Sequence, residues 1–320
     1  MNPTEVDGEP EGEREAPLVS VVLPTYDRPE KLADAVESVS AQQYSNVELL
    51  VVDDASPTPM KSVVAEAASP DLQWRYLRHD TNQGANAARN TGIEAADGEI
   101  LAFLDDDDRW VPEKLAAQIS TFRDREPEVG VVVVGQQFVD GDQETTIRVP
   151  DIGPAATPDL LAGGVGGSFS TLAVQRWVIE EAGLPDERLP AWQDREWLVR
   201  LSCHCEFATI QRPLVIRQVG GYNQISDLFE PKRDVTYPLF LEKYSELAAE
   251  YGLEQRFKAR LSLSIASSAL VNGYYRDARR FAVKAIKTDP RLKTAYAYLA
   301  LALGGRYTYR TGVRLKRAFD

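Results

Sequence analysis

The sequence contains little of what would crosslink a protein or anchor it in a membrane. It has two cysteines and two histidines among 320 residues. No apolar run approaches the roughly 20 residues that a membrane-spanning helix needs. Cys203 and Cys205 flank His204 and are too close in sequence to close a useful loop. With His79 as the second histidine, a Cys/His zinc site is not expected, and the trio is interpreted as packing.

The first residues are acidic and almost free of apolar side chains. They lack the basic and then apolar order of a secretory signal peptide. Their composition predicts a disordered segment over residues 1–16. We therefore expect a soluble, cytoplasmic protein.

Charge is distributed unevenly around the net value of −13. Residues 253–320 contain 15 Lys/Arg and 4 Asp/Glu, which leaves 21 basic and 45 acidic residues, a net of −24, in the rest of the chain. Self-repulsion of this size is tolerated best where salt screens it, which favours a halophilic archaeon as the source. A nucleic acid is not expected as a partner.

Strand and helix patterns alternate in the first part of the chain. Apolar, β-branched runs predict buried strands at residues 19–23, 47–52 and 100–104, with a shorter strand at 74–77. Helical spacing predicts helices at residues 30–41, 60–68, 85–96 and 112–122. Strands that alternate with crossover helices predict an α/β fold with a doubly wound, mainly parallel sheet.

The pattern changes after residue 130. Residues 131–139 and 145–149 predict a hairpin, and residues 207–218 predict an extended segment. Helices are predicted at residues 175–182 and 193–201. From Val235 onward every segment has helical character, which predicts an all-helical C-terminal appendage over residues 235–320.

Polar and acidic side chains follow three of the predicted strands. Pro24, Thr25 and Tyr26 follow the first strand, Asp53 and Asp54 the second, and residues 105–108, all aspartate, the fourth. Ligands of such sheets bind beyond the carboxyl ends of the strands, so these side chains are expected at one rim. Four adjacent carboxylates repel one another unless a cation lies among them. Mg²⁺ or Mn²⁺, which prefer oxygen ligands, would meet that need, and a solvated acidic turn is the alternative.

Four segments resemble the motifs of family-2 glycosyltransferases of the GT-A fold. They are residues 19–32 (VSVVLPTYDRPEKL), 49–56 (LLVVDDAS), 82–92 (NQGANAARNTG) and 103–110 (FLDDDDRW). They occur in the family's order and at its spacing, and the resemblance covers about residues 17–219. It implies an inverting transfer of a sugar from a UDP- or GDP-sugar to an acceptor hydroxyl. The catalytic domain would span residues 17–234, with the nucleotide-sugar half ending at about residue 130 and the acceptor half following it.

The resemblance also implies roles for individual residues around the donor. The implied donor-binding residues are Pro24, Thr25, Tyr26, Asp53, Asp54, Asn82, Arg89, Asp105 and Arg217. Asp54, with Asp53, would accept hydrogen bonds from the base, and Arg89 would lie near phosphate or ribose. Some relatives supply a metal-binding histidine where Arg217 stands, so Arg217 is expected to meet the diphosphate directly.

The Asp-x-Asp element of the family matches Asp105 and Asp107. Asp107 would bind the metal, Asp105 would lie near the ribose and share in metal binding, and Asp108 would assist. The metal would neutralise the leaving nucleoside diphosphate as a Lewis acid.

The expected general base is Asp194. The segment WQDREWLVRL at residues 192–201 resembles the family's Glu-Asp pair, which opens a helix ending in Leu-x-Arg-Leu. Gln193 stands in place of the usual glutamate, and Glu196 is the fallback base. The alternative for Asp194 is an aspartate that merely favours the first turn of a helix.

Three further features have open interpretations. Trp110, Trp192 and Trp197 are candidates for stacking on sugar rings, and core packing is the alternative for each. The glycine-rich residues 163–168 lack the Lys-Ser/Thr ending of a phosphate loop and predict a loop beside the acceptor. The basic, aromatic residues 306–317 predict peripheral contact with an anionic membrane or a solvated helix face.

The family's enzymes often build cell-envelope or protein-linked glycans on lipid-linked acceptors, so a glycan or lipid-linked saccharide is the expected acceptor. A non-catalytic scaffold that binds nucleotide sugars or glycans is the rival interpretation. It accounts for the helical appendage but not for an acidic strand end together with a matching Asp194.

Overall fold

The computed structural model describes residues 16–140, 143–218 and 229–305. The predicted disorder of the first residues and the basic segment 306–317 lie outside the described residues, apart from Ala16. The strands are β1 (Val19–Thr25), β2 (Val47–Asp53), β3 (Gln73–Arg78), β4 (Ile100–Phe103), β5 (Asp108–Trp110), β6 (Val129–Asp140), β7 (Gln143–Arg148), β8 (Leu172–Gln175) and β9 (Glu206–Gln218). They form one sheet in the order β3-β2-β1-β4-β8-β6-β9-β5, with β7 paired to β6.

The first four strands are parallel, and their register explains the continuous apolar runs of the sequence. Val21 of β1 lies opposite Leu49 of β2 and Ala102 of β4. Every residue of β1 and β2 is buried. A strand covered on both faces has no polar side to alternate with, so its side chains are almost all apolar.

Helices cover both faces of the parallel half. The helices of this half are α1 (Pro29–Ser40), α2 (Lys61–Ala67), α3 (Ala85–Ala95) and α4 (Lys114–Arg123). Leu32 and Leu115 pack with Leu49 in one core cluster, while Ile93 packs with Leu50 in the other. The predicted doubly wound arrangement is confirmed.

The second half of the sheet is mixed. Strand β8 is antiparallel to both β4 and β6, β9 is parallel to β6, and β5 is antiparallel to β9. The predicted hairpin is β6–β7. Strands β5 and β8 were not predicted, because three or four residues are too few to establish a period of two.

The remaining helices include those predicted at residues 175–182 and 193–201 and the predicted helical C-terminal region, together with a short helix at residues 156–161 that was not predicted. They are α5 (Ala156–Leu161), α6 (Arg176–Ala182), α7 (Gln193–Leu201), α8 (Phe229–Pro231), α9 (Tyr237–Glu250), α10 (Glu254–Val271), α11 (Tyr275–Thr288) and α12 (Lys293–Leu303). A π-helical turn, Lys232–Thr236, leads into α9. The C-terminal helices share a core cluster with the sheet, in which Trp197 of α7 joins Phe240 and Phe281. Among the described helices, none combines the length and apolar character that crossing a bilayer requires.

Candidate active site

A cavity of about 460 Å³ opens where strands β1, β2 and β4 end. This volume lies within the range typical of small-ligand sites, roughly 300–1,000 Å³. Ten of the residues predicted from the sequence line it, namely Pro24, Thr25, Tyr26, Asp54, Asn82, Arg89, Asp105, Asp107, Asp194 and Arg217. The lining also includes Arg28, Asp106, Phe169 and Lys232, for which the motifs predict no role. Of the predicted donor, metal and base residues, those outside the lining are Asp53, Asp108 and Glu196, the fallback base.

Asp54 shapes the loop that borders the cavity beyond β2. Its carboxylate accepts hydrogen bonds from the backbone N–H groups of Gln83 and Gly84, both at 2.8 Å. The ring of His79 lies 2.8 Å from the same carboxylate. Gly84 has a φ of 94°, a left-handed conformation that favours glycine. Asp54 thus holds the loop that presents exposed Asn82 to the cavity.

Asp53 faces away from the cavity, because adjacent residues at a strand end point in opposite directions. Its buried carboxylate accepts from the N–H groups of Ser56, at 2.7 Å, and Met60, at 3.2 Å. Tyr76 and Arg78 complete its partners. The structure therefore places Asp53 in the turn after β2 and does not bring it into the cavity.

Three members of the aspartate run form a potential cation site. One carboxylate oxygen from each of Asp105, Asp107 and Asp108 lies within 4.8 Å of the other two. Asp108 belongs to β5, and its side chain is fully buried behind the other two. Among the described residues, neither of its oxygens has a hydrogen-bond partner, and the nearest cation, Arg217 Nε, is 4.0 Å away.

Burial raises the pKa of Asp108 to about 7. A fully buried carboxylate without hydrogen bonds is costly unless it is protonated or meets a cation. The chemistry of this donor set therefore fits a hard divalent ion with oxygen ligands. Asp108 is not at the exposed rim expected from the sequence but is a buried member of the carboxylate cluster.

Asp106 was given no role in the sequence analysis, and it connects the acidic run to β1. It is buried and accepts a hydrogen bond from Thr25 Oγ1 at 2.9 Å. Arg28 Nη1 lies 3.0 Å from Asp106 and 3.5 Å from Asp107. Burial raises the pKa of Asp106 to about 6, against the opposing effect of Arg28. Arg28 thus adds a positive charge to the cavity beside the acidic cluster.

Arg89 joins elements that are far apart in sequence. One of its Nη atoms donates to Asn86 at 3.0 Å and to Gln193 at 3.2 Å. The other lies 2.6 Å from Asp105. Its guanidinium carbon is 3.9 Å from the ring centroid of Phe169. Arg89 therefore fixes α7, through Gln193, relative to the acidic run.

Asp194 lies in the first turn of α7 and lines the cavity. Its carboxylate accepts a hydrogen bond from the N–H of Arg195 at 2.7 Å. Burial raises the pKa of Asp194 above its usual range, although Arg195 N–H, Arg217 and Arg89 oppose that shift. Raising the pKa of a carboxylate makes it a stronger base once it is deprotonated.

Glu196, the fallback base, is engaged in a network of ion pairs and hydrogen bonds. It is fully buried and pairs with Arg200 at 2.9 Å and with Lys243. Tyr244 Oη donates to it at 2.6 Å. Its carboxylate thus ties α7 to α9, and it is not among the residues that line the cavity.

The three candidate tryptophans differ in whether they lie in the core or at the cavity. Trp110 and Trp197 are buried, and their ring N–H groups donate to backbone carbonyls of Ser170 and Gly183. Trp192 lines the cavity. The loop 163–167 packs against a helical side chain, since a Cβ placed on Gly163 would lie 3.3 Å from Arg260 of α10.

A strand-end cavity with an acidic cluster and a separate aspartate at a helix start matches the arrangement that the motifs predict. The family model described as Glycosyl transferase family 2 matches residues 20–176, about half of the chain. The chain belongs to glycosyl transferase family 2. The metal-cluster residues and Arg89 fall inside the matched segment, whereas Asp194 and Arg217 fall outside it.

Similar curated proteins are named glycosyltransferases or glucosyltransferases. An uncharacterized glycosyltransferase of Nostoc sp. is 30% identical over 213 residues, which cover 64% of this chain and 66% of that protein. The Escherichia coli UDP-Glc:alpha-D-GlcNAc-diphosphoundecaprenol beta-1,3-glucosyltransferase WfgD is 40% identical over 103 residues, 32% of this chain and 40% of that one. A Campylobacter jejuni GalNAc(5)-diNAcBac-PP-undecaprenol beta-1,3-glucosyltransferase is 34% identical, with 39% of each chain covered. The chain thus spans less than two thirds of the length of these relatives.

Solved structures resemble the whole chain. Residues 1–349 of Staphylococcus aureus TarS align with a TM-score of 0.61 and 17% identity, covering 95% of this chain and 92% of that one. The mannosyltransferase PcManGT from Pyrobaculum calidifontis, solved with GDP-Man and Mn²⁺, aligns with a TM-score of 0.57 and 20% identity, covering 94% and 89%. These similarities confirm the predicted GT-A fold for the family-2 chain.

Proposed function

We propose that the protein is an inverting, metal-dependent glycosyltransferase that moves a sugar from a UDP- or GDP-sugar to an acceptor hydroxyl. The observation that carries this proposal is the convergence of two chemistries on one cavity. Asp105 and Asp107 of the acidic cluster line it together with Asp194, a carboxylate of raised pKa. A metal-held diphosphate and a general base are the two groups that an inverting transfer requires.

The donor diphosphate belongs beside the acidic cluster. Asp105, Asp107 and Asp108 are the residues that would hold Mn²⁺ or Mg²⁺, which supplies neutralisation of the charge on the leaving diphosphate. Arg217 and Arg28 line the same cavity and can donate charge-assisted hydrogen bonds to phosphate oxygens. The nucleoside would lie between Tyr26 and Asn82.

Asp194 takes the proton of the acceptor hydroxyl as its oxygen attacks the anomeric carbon. Attack from the face opposite the departing diphosphate inverts that carbon. Arg217 and Arg89 contribute positive potential at Asp194, which limits the rise of its pKa. This positive potential favours the ionised carboxylate, which is the form that acts as the base.

We divide the chain into a catalytic domain at residues 17–234 and a helical region at 235–320. The donor half would end near residue 130, after α4. Glu196, Lys243 and Tyr244 join the two parts of this division.

The acceptor is proposed to be a lipid-linked saccharide of cell-envelope or protein glycosylation. The names of the Escherichia coli and Campylobacter relatives specify saccharides on diphosphoundecaprenol or undecaprenol. Such an acceptor requires the enzyme to work at a membrane surface. The basic C-terminal region would provide peripheral contact with anionic lipid, at about 1 kcal/mol for each engaged Lys or Arg.

The exposed face of α11 supports this contact within the described residues. Arg276, Arg280, Lys284 and Lys287 are exposed on this helix. Its acidic residue, Asp277, is paired with Arg233 at 3.3 Å. Residues 306–317, outside the described residues, contain five further Lys and Arg residues in the sequence.

Vesicle sedimentation tests the membrane proposal. The full chain should bind phosphatidylglycerol vesicles more than phosphatidylcholine vesicles, and less at high salt, because screening weakens the attraction. Replacing the four exposed α11 cations by Gln should reduce binding. A control variant with three other exposed cations replaced, Lys61, Arg125 and Arg212, should bind like the parent. Equal binding by all variants would reject α11 as the contact.

The decisive test of the function is a donor screen followed by a transfer assay. Thermal shift with UDP- and GDP-sugars, with and without Mn²⁺, identifies the donor by its stabilisation of the fold. Incubation of that donor with short polyprenyl-diphosphate saccharides should then give a product of inverted anomeric configuration by NMR. Binding without donor consumption would favour the rival scaffold function, and a retained configuration would reject the inverting mechanism.

A further inference from the structure

Trp192 has a backbone conformation that a bulky residue rarely adopts. Its φ of 56° and ψ of 31° lie in the left-handed region. Among the described residues, Asp27 and Ala55 are the other non-glycine residues with positive φ. Such a conformation persists only where its surroundings hold it, and such residues concentrate at functional sites.

Contacts from both sides hold Trp192 in place. Its carbonyl accepts the N–H of Glu196 at 3.0 Å, which opens helix α7. Its ring meets Phe240 of α9 edge-to-face, with 5.7 Å between centroids. The guanidinium carbon of Arg195 lies 5.4 Å from the indole centroid. Phe240 of α9 and Arg195 of α7 therefore both contact this indole.

Trp192 is also part of the cavity wall. It is half-buried and lines the cavity with its neighbours Ala191 and Gln193. It precedes Asp194, the proposed base, by two residues. Since the acceptor hydroxyl must reach Asp194, the saccharide that carries it must occupy this part of the cavity.

We propose that Trp192 is the platform of an acceptor-saccharide subsite. The apolar C–H face of a pyranose ring packs against the indole, while one hydroxyl of that ring points to Asp194. Aromatic side chains suit this role because they offer a large, rigid apolar surface. The ligand class is a pyranose of the glucose or N-acetylglucosamine type, and the inference rests on the proposed transferase function.

Kinetics with matched variants test the platform. Trp192→Gly removes the ring and tolerates the left-handed backbone, and Trp192→Phe keeps an aromatic surface. Trp177→Phe, at a Trp on α6 that is 36% exposed, serves as the control. With an N-acetylglucosaminyl-diphosphoryl polyprenol as the acceptor, Trp192→Gly should raise the acceptor KM by about tenfold or more. The donor KM should change by less than about twofold, and Trp192→Phe should recover most of the loss.

Tryptophan fluorescence gives a readout that does not depend on turnover or on the glycine variant. Methyl N-acetylglucosaminide should quench the emission of the parent and of the Trp177→Phe control, but not that of Trp192→Phe. An unchanged acceptor KM in a folded Trp192→Gly, or quenching that survives in Trp192→Phe, overturns the proposal. A parent that shows quenching at Trp192 but transfers no sugar would retain the subsite and reject the transferase function instead.

Discussion

Replacing Asp194 by Asn changes one property of the cavity while leaving its shape intact. The amide oxygen of Asn can still accept the hydrogen bond that Arg195 N–H donates at 2.7 Å. The amide cannot accept a proton from the acceptor hydroxyl. Donor binding should therefore persist while turnover falls.

The expected loss of turnover follows from the other carboxylates of the cavity. A positioned base contributes about 10²–10⁴ to the rate, or roughly 3–5 kcal/mol. The other carboxylates that line the cavity are all engaged. Asp105 pairs with Arg89, Asp106 and Asp107 pair with Arg28, and Asp54 accepts from the loop N–H groups after β2. Since these carboxylates are poor substitutes for a base, we expect a loss in the upper half of that range.

Initial rates of nucleoside diphosphate release, measured against pH, give the second part of the test. Because the pKa of Asp194 is raised, the rate of the parent should climb with pH through a value above that of an ordinary aspartate. The variant should lack this ascending limb, and its donor Kd by calorimetry should match that of the parent. Transfer at near-parental rate by Asp194→Asn would refute the assignment.

Three further predictions concern the acidic cluster and the α7 network. Asp107→Ala should lose Mn²⁺-dependent binding of UDP or GDP, and calorimetry that finds parental affinity would place the metal elsewhere. Asp108→Asn should raise the Tm of the metal-free protein at pH 8, because a carboxylate with a raised folded pKa loses stability as pH rises from about 4 to about 7. The same variant should be stabilised less by Mn²⁺ in thermal shift. Glu196→Gln should destabilise the fold by about 1–3 kcal/mol, because Lys243 and Arg200 lose the charge of their buried partner while Lys243 keeps Asp186. Chemical denaturation measures that loss, and unchanged stability with impaired turnover would return Glu196 to the role of base.

The sequence predicts the rim of the sheet well because each strand there is marked by a continuous apolar run. Thr25, Asp54 and Asp105 follow or end such runs, and the structure brings all three to one cavity. Adjacent residues were harder to separate. Asp53 and Asp54 point in different directions because of the pleat of the strand. Asp107 and Asp108 differ because Asp108 begins a three-residue strand. The sequence pattern resolves neither difference.

The rest of the site depends on contacts between distant segments. Arg28 lies in the first motif, but the motif predicts no binding role for it, because its partner Asp106 lies 78 residues later. Lys232 enters the cavity from the π-helical turn, in a region that the motifs do not cover. The distinction between Trp192 and the two core tryptophans likewise needed the packing of α9. Long-range packing of this kind has no periodic signal in a single sequence.

The position of Arg89 restricts which substitutions at residue 193 are compatible with the site. Its guanidinium reaches Asp105 in the segment that the family model matches and Gln193 outside it. A neutral amide oxygen at residue 193 suffices for that bond, so an exchange with glutamate would preserve it. Segments downstream of Arg217 could therefore be exchanged between relatives without breaking the contact between Arg89 and residue 193. The condition is that the side chain of residue 193 keeps an oxygen that can accept the hydrogen bond from Arg89.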